Sequence, residues 1–449
     1  MENKLQIGYA RTNITPPLGI DIAGYFVERH AEAVLDELEA CAMAIRCGDK
    51  SALIITLDLC YIPTVRCDEI RLAAAEAAGI APEAVLIHAT HTHQGPVIGK
   101  MHKNPIVNEY FGFLLKRVAD TAVMALADLK EAKVGIGIGE AKNVAFIRRY
   151  RMKDGSAMTN PGVNNPDIVA PIGETDERVS VVRFDRQGAD TVVLANFANH
   201  PDVVGGNKIS ADWPGITRRM LERAIDGTRC IFLNGAQGDV NHVNVHPKAG
   251  DFNDMFNDFD GCSRGYGHAR HIARVVTGAI MSVYDKVEYI DVNTLDYTQK
   301  IVEIASNKAD PKDLPLAHKY HELHMAGKDD LIPFKAMMLT TVVAEAGRMV
   351  RLENAPDAFP MRFSAIKLGD IAFFGIPGEP FTGIGRGIKE AEGYKLVIPS
   401  CNTNGAEGYF PMKDSYDEGG YEARSSNFKA GSAERIVEEG LKILADIKK

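Results

Sequence analysis

The segment His88-Ala-Thr-His91-Thr-His93-Gln-Gly-Pro96 puts three imidazoles within six residues, directly after the apolar run Ala84-Val-Leu-Ile-His-Ala-Thr90. Imidazole suits zinc ligation and proton transfer near neutral pH. His91 and His93 are two apart, so in extended backbone both project to one side. Strand ends are where α/β folds place their sites, and Gly95-Pro96 then turns the chain away. The bland alternative is a polar strand end with satisfied histidines. A cluster of three weighs against it, and His88, still on the apolar run, reads as structural or as a support behind the ligands.

Three further segments have the same form. Asn196-Phe-Ala-Asn-His200-Pro201 ends an apolar run in a histidine, with Pro201 fixing the turn. Standing alone, His200 would as readily be a capping or core residue. Nearby Asp212 either orients a metal-bound imidazole through its other nitrogen or caps a helix. Asn234-Gly-Ala-Gln-Gly238-Asp239-Val-Asn241-His242 follows another apolar run, and its glycines allow backbone to come close to a ligand or simply make a turn. Phe373-Phe-Gly-Ile-Pro377-Gly378-Glu379-Pro380 sets a carboxylate on a Pro-Gly turn, as a metal ligand or a surface turn.

Two patterns are set aside. Gly135-x-Gly137-x-Gly139 lacks the spacing and the following helix of a dinucleotide loop. His318, His321 and His324 stand three apart on a helix among Lys and Glu, which reads as a solvated face.

The elements that must position these residues alternate. Ser51–Cys60, Ala84–Thr90, Lys133–Glu140 and the Cys230-Ile-Phe-Leu-Asn-Gly run read as strands, and Ser180–Asp185 with Thr191–Ala198 as a hairpin or neighbours. Val287–Glu303 is β-rich, and Phe363–Gly378 gives two strands about Gly369-Asp370. Helices are expected at Cys67–Ala78, Tyr110–Leu129, Gly215–Ala224, Arg264–Val283, through most of Leu316–Leu352, and at Ser432–Lys448. The strand-then-helix rhythm predicts an α/β fold of mixed β-sheets packed with helices. No internal repeat stands out, and no Pro/Ser-rich linker divides the chain, so one domain over 1–449 is expected. The acidic, aromatic stretch Ala249–Gly267 reads as a surface loop or lid.

Composition is that of a globular protein, 45% hydrophobic and 25% charged. Net charge is −9 with no basic stripe, which argues against nucleic-acid binding. No signal peptide and no 18-residue apolar run is evident, so a cytoplasmic protein without membrane insertion is expected. The seven cysteines are scattered with no CxxC pair, giving neither a disulfide framework nor a thiolate zinc site.

Read together, these segments resemble the neutral ceramidase family, in particular its bacterial members lacking the extra domain. The resemblance rests on Asn13-Ile-Thr-Pro-Pro17, Gly24-Tyr25, Ala89-Thr-His-Thr-His-Gln-Gly-Pro96, Phe197-Ala-Asn-His-Pro201, Asn234-Gly-Ala-Gln-Gly-Asp-Val240, Pro377-Gly-Glu379 and the Tyr409…Tyr421 region. They stand in family order across nearly the whole chain. No counterpart of the family's C-terminal β-sandwich domain is expected.

The resemblance implies a Zn2+ ion held by His91, His200 and Glu379, with the Tyr409 oxygen as a further ligand. It implies that His93 and Tyr421 hold the scissile carbonyl or stabilise the oxyanion. It also implies that Arg148 lines the pocket, with neighbouring Arg149 as the alternative. Asn241 stands where family members carry serine, so the hydroxyl of that catalytic position is missing. The implied reaction is attack of metal-activated water on an amide carbonyl, with a protonated group serving the leaving amine. No amphipathic basic helix for membrane contact is evident. A small soluble N-acyl compound is therefore expected as substrate rather than ceramide. The alternatives are a zinc esterase or lactonase, and a non-catalytic metal-containing binding protein of the same fold. A small-molecule partner is expected, and homo-oligomerisation is left open.

Overall fold

Strand pairing in the computed structural model, which describes residues 4–248, 251, 256–257 and 262–449, shows one topological unit used three times among those residues. In each unit three strands run antiparallel, a helix crosses over, and a fourth strand pairs parallel to the third and leads into a second helix. The first unit comprises strands Leu5–Asn13, Glu39–Cys47 and Lys50–Leu57, helix Thr64–Ala78, strand Val85–Ala89 and helix Pro105–Ala127. The second comprises Lys130–Glu140, Arg178–Arg186 and Thr191–Phe197, helix Asp212–Ala224, strand Thr228–Asn234 and helix Tyr266–Tyr284. The third comprises Leu295–Ala305, Ala358–Leu368 and Ile371–Gly375, helix Thr382–Lys389, strand Leu396–Ser400 and helix Ser432–Lys448. The repeat that was not evident in the sequence is thus one of topology, which constrains burial pattern rather than residue identity.

The first two units join edge to edge through Gln6↔Glu131 and Ile7↔Lys130 into a nine-stranded mixed sheet that also takes in Glu288–Ile290. The third unit forms a four-stranded sheet. The sheets meet in a shared core, with Ile7, Met43, Ile54, Val182 and Leu194 against Leu295, Ile366, Phe373 and Ile398. The helix pairs of the first, second and third units close the outer faces through three separate cores. The result is a helix–sheet–sheet–helix layering in which each fully buried Ile, Leu or Phe contributes about 1.5–3 kcal/mol.

Glu39–Cys47 was not recognisable as a strand because Ala and Cys are weak strand formers. Its alternation decides the matter. Ala40, Ala42 and Ala44 face the helices, where small side chains admit close packing, while Cys41, Met43 and Ile45 face the second sheet. The helix expected from Gly215 begins earlier, at Asp212, because Pro214 is tolerated in a first helical turn. Gly135, Gly137 and Gly139 lie in a strand beneath helix Tyr266–Tyr284, and a Cβ on Gly139 would stand 2.3 Å from the Ala279 carbonyl oxygen. Those glycines serve packing, not a phosphate. The expected Ala249–Gly267 loop lies largely outside the described residues. Among the described residues no helix is long and apolar enough to cross a membrane.

Each unit sends its long connections to one end of the layers. The loops after the third and fourth strands carry His91, His93, His200 and Glu379, and the connections between first and second strands carry Tyr25 and Arg148.

Candidate metal centre

His91 and His93 follow strand Val85–Ala89, as the sequence implies, but His91 takes a left-handed conformation with φ of 75°. For a non-glycine residue that costs about 1–2 kcal/mol, a strain met most often at functional sites. The strain is held by bonds around it. His91 N donates to the Leu59 carbonyl at 2.9 Å, and its Nδ1 lies 2.7 Å from the Cys60 carbonyl. On the second unit, His200 Nδ1 lies 3.2 Å from the Gln237 carbonyl. A carbonyl oxygen only accepts, so both rings carry a proton on Nδ1 and turn Nε2 toward the centre.

Those two Nε2 atoms are 3.1 Å apart. Glu379 Oε2 lies 3.2 Å from the first and 3.5 Å from the second. His91 Nε2, His200 Nε2 and Glu379 Oε2, nearly excluded from water, therefore converge on one point. Donors about 2.0–2.1 Å from a tetrahedral zinc are separated by about 3.3 Å, so the triplet has the spacing of three ligands of one cation. The residues fit the metal on donor type, tautomer and spacing.

Glu379 and Tyr409 are direct partners in a two-residue parallel pairing. The Tyr409 hydroxyl hydrogen-bonds the Glu379 carboxylate, and Tyr409 also bonds Arg148 and Tyr421. Arg148 is fixed on its far side by Glu422, at 2.6 Å, and by the Gly238 carbonyl, at 2.7 Å. Arg149 points elsewhere, to Ser415 and Glu418, so Arg148 is the arginine beside the tyrosines. The Tyr409 and Tyr421 rings meet edge to face at 5.6 Å.

Burial opposes charge on all the imidazoles. At His93 and His200 it prevails and holds both well below the usual range. At His91 it is outweighed by the Glu379 carboxylate and by Cys60, and the ring is held well above that range. Burial would raise Glu379, but His91, Arg148 and the Tyr409 hydroxyl hold it below the usual carboxylate range. Burial and the Glu379 charge raise both phenols, so Tyr409 and Tyr421 keep their protons at neutral pH.

The structure thus brings together His91, His93, His200, Glu379, Tyr409, Tyr421 and Arg148. His93 Nε2 reaches His91 Nε2 at 3.2 Å without joining the triplet. Asn241 is not in this group. Its Nδ2 donates to Asn160 and its Oδ1 accepts from the Val243 amide, which braces the strand leading to Arg148. Asp212 does not orient an imidazole. Its carboxylate accepts from the Val203 and Val204 amides at 3.0 and 2.9 Å and pins the loop after His200. Gly238 does allow a close approach, but to the chain's own Glu379 backbone, 2.5 Å from where a Cβ would stand. His318 and His324 pair with Glu353 and Asp329 rather than with each other.

Solved structures share this architecture. A neutral ceramidase from Pseudomonas aeruginosa superposes with a TM-score of 0.72 at 16% identity, covering 100% of this chain and 75% of its own. A ceramidase complexed with C2 gives 0.71 at 16% identity, with 99% and 75% covered. The chain has the neutral-ceramidase fold. No protein-family model matches the sequence, and no curated protein matches it.

Some residues of this ceramidase-fold centre have no signature in sequence. The orienting groups on His91 and His200 are backbone carbonyls of Cys60 and Gln237. Glu422, which holds Arg148, is visible only as the residue after Tyr421. Gly24 was quoted for the resemblance, and its reason is now physical: at φ of 102° it packs so tightly that a Cβ would lie 2.6 Å from His93 Nδ1.

Proposed function

We propose that this chain, acting as one catalytic unit over 1–449, is a zinc-dependent hydrolase that cleaves the C–N bond of a small N-acyl compound. The observation that carries the reading is the buried His91–His200–Glu379 triplet, whose three ligand atoms converge within 3.5 Å of one another, set beside two protonated phenols and Arg148. His91, His200 and Glu379, with Tyr409 against Glu379, would hold the zinc, which would supply Lewis-acid polarisation and a water whose pKa falls to roughly 7.

The chain's own groups do the rest. Tyr421 holds its proton and lies against Tyr409, placed to donate to the oxygen of a tetrahedral intermediate. Arg148 keeps the phenol pair in place and adds positive charge to a buried site. His93, uncharged through burial, has Nε2 toward the centre, placed to hold the scissile carbonyl or the oxyanion. A cavity of about 230 Å³ lined by Ala157, Met158, Thr159, Met337, Met338 and Tyr421 adjoins the site.

The test is metal analysis with matched amide and ester substrates, comparing wild type with His91→Ala. Loss of zinc and of amide cleavage together is expected. Full amide cleavage by metal-free His91→Ala would overturn the reading, and a strong preference for the ester would redirect it to an esterase.

A further inference from the structure

Cys60 sits on this centre, and the reaction above gives its side chain no task. It is buried. Its Sγ, an imidazole nitrogen of His91 and one of His93 all lie within 4.8 Å of one another. His93 brings Nε2 to 3.2 Å from His91 Nε2, while its own Nδ1 is buried and has no hydrogen-bond partner.

The repeat gives an independent reason to regard Cys60 as a residue of the site. In the second unit His200 comes three residues after the third strand, Thr191–Phe197. In the third unit Glu379 comes four residues after the third strand, Ile371–Gly375. In the first unit the third strand is Lys50–Leu57, and three residues on stands Cys60. The loop after the third strand thus carries a group able to ligate a metal in each unit, a thiol, an imidazole and a carboxylate in turn.

We propose that Cys60, His91 and His93 form a second ligand set in the same centre, sharing His91 with the first and taking a thiophilic divalent cation. This rests on the metal-hydrolase reading of the site. One thiolate with two imidazoles suits zinc and softer ions, whereas His200 and Glu379 offer no sulfur. As the sulfur–metal bond forms the S–H bond breaks, and the proton leaves to solvent. Because His91 is common to both sets, an ion drawn to Cys60 and His93 disturbs the catalytic set. Excess zinc or cadmium is then an inhibitor of the enzyme.

The probes are cobalt and cadmium added to full-length protein freed of metal. Cobalt is expected to give the visible bands of a site built from imidazole and carboxylate. Cadmium in excess is expected to give the ultraviolet sulfur-to-cadmium charge-transfer band. That band should vanish in Cys60→Ser and persist in Cys401→Ser, whose buried thiol lies by Gln237. Wild type that binds cobalt but shows no sulfur band overturns this inference and leaves the hydrolase reading standing. Wild type that binds neither ion overturns both. Should Cys60→Ser not fold, Cys60→Ala read by the same band, with circular dichroism reporting the fold, replaces it. A band surviving the substitution also overturns the inference.

Discussion

His91 and His200 point their Nε2 atoms at each other across 3.1 Å, each donating its Nδ1–H to a backbone carbonyl. Such an arrangement is stable only with a cation between the rings, whether a proton or a metal ion. Chelation is therefore expected to lower the melting temperature, since a ligand bound only by the native state stabilises it by mass action. His91→Ala should bind no metal and show no response to chelator. Equal melting temperatures for metal-loaded and chelated wild type, by calorimetry, would remove the metal from the native state.

The two tyrosines predict different losses. Tyr409 bonds Glu379, so Tyr409→Phe should weaken metal binding by about 10–100-fold, the usual effect of removing a group that holds a ligand in place. Tyr421→Phe should keep its metal and lose about 10²–10³-fold in kcat, as expected for one donor to an oxyanion. Metal affinity measured beside kcat separates the roles. Unchanged kcat in Tyr421→Phe would exclude it from the reaction.

Gly24→Ala tests the placement of His93. A Cβ there would stand 2.6 Å from Nδ1 and 2.7 Å from Cγ of the ring, on backbone with φ of 102°. The imidazole must shift, and a misplacement of about 1 Å can cost about 10²-fold in rate. Reduced kcat with zinc content unchanged is the expected result. A variant with wild-type kcat would show that the position of His93 does not matter to the chemistry.

Much of this centre was legible because histidine and glutamate at strand ends are rare enough to notice, and His91, His93, His200 and Glu379 all converge. Arg148 and Arg149 could not be told apart, because adjacent residues of an extended segment face opposite sides and only the packing says which side is the site. Asn241 shares a motif with the site yet braces a strand, since proximity in sequence to Gln237 does not fix direction. Cys60 was invisible for the opposite reason. Its thiol meets His91 only after Lys50–Leu57 and Val85–Ala89 pair in parallel, and no spacing rule anticipates that contact. Glu39–Cys47 shows burial overriding propensity.

Asp58 and Arg218 tie the first unit to the second. Arg218 donates to both Asp58 oxygens, at 2.9 and 2.6 Å, and to Glu39 at 3.1 Å, with the guanidinium wholly buried. Asp58→Ala leaves the buried guanidinium with Glu39 as its remaining carboxylate, so it should cost about 3 kcal/mol, the low end for breaking a buried pair. The double substitution Asp58→Ala with Arg218→Met should cost less than the sum of the two single ones. Urea denaturation of the four proteins measures the coupling. Strict additivity would mean the pair acts as two independent groups.

Asp212 makes stability depend on pH. Its carboxyl is buried, accepts three amide protons including that of Trp213 at 2.6 Å, and is pushed up to about 7 from the 3.8 of an ordinary aspartate, chiefly by burial. Between those values the native state keeps the proton and the unfolded chain has lost it. The native state therefore binds more protons than the unfolded one, and stability falls as pH rises through the window and levels off above it. Asp212→Asn has no such titration. Asparagine also accepts the residue's left-handed φ of 51°. Relative to wild type, the variant should gain stability between pH 5 and pH 8, read as the difference between two urea midpoints at each pH. A difference that stays flat, or that moves the other way, would show that the native carboxyl is ionised throughout and that its three amide bonds outweigh its burial.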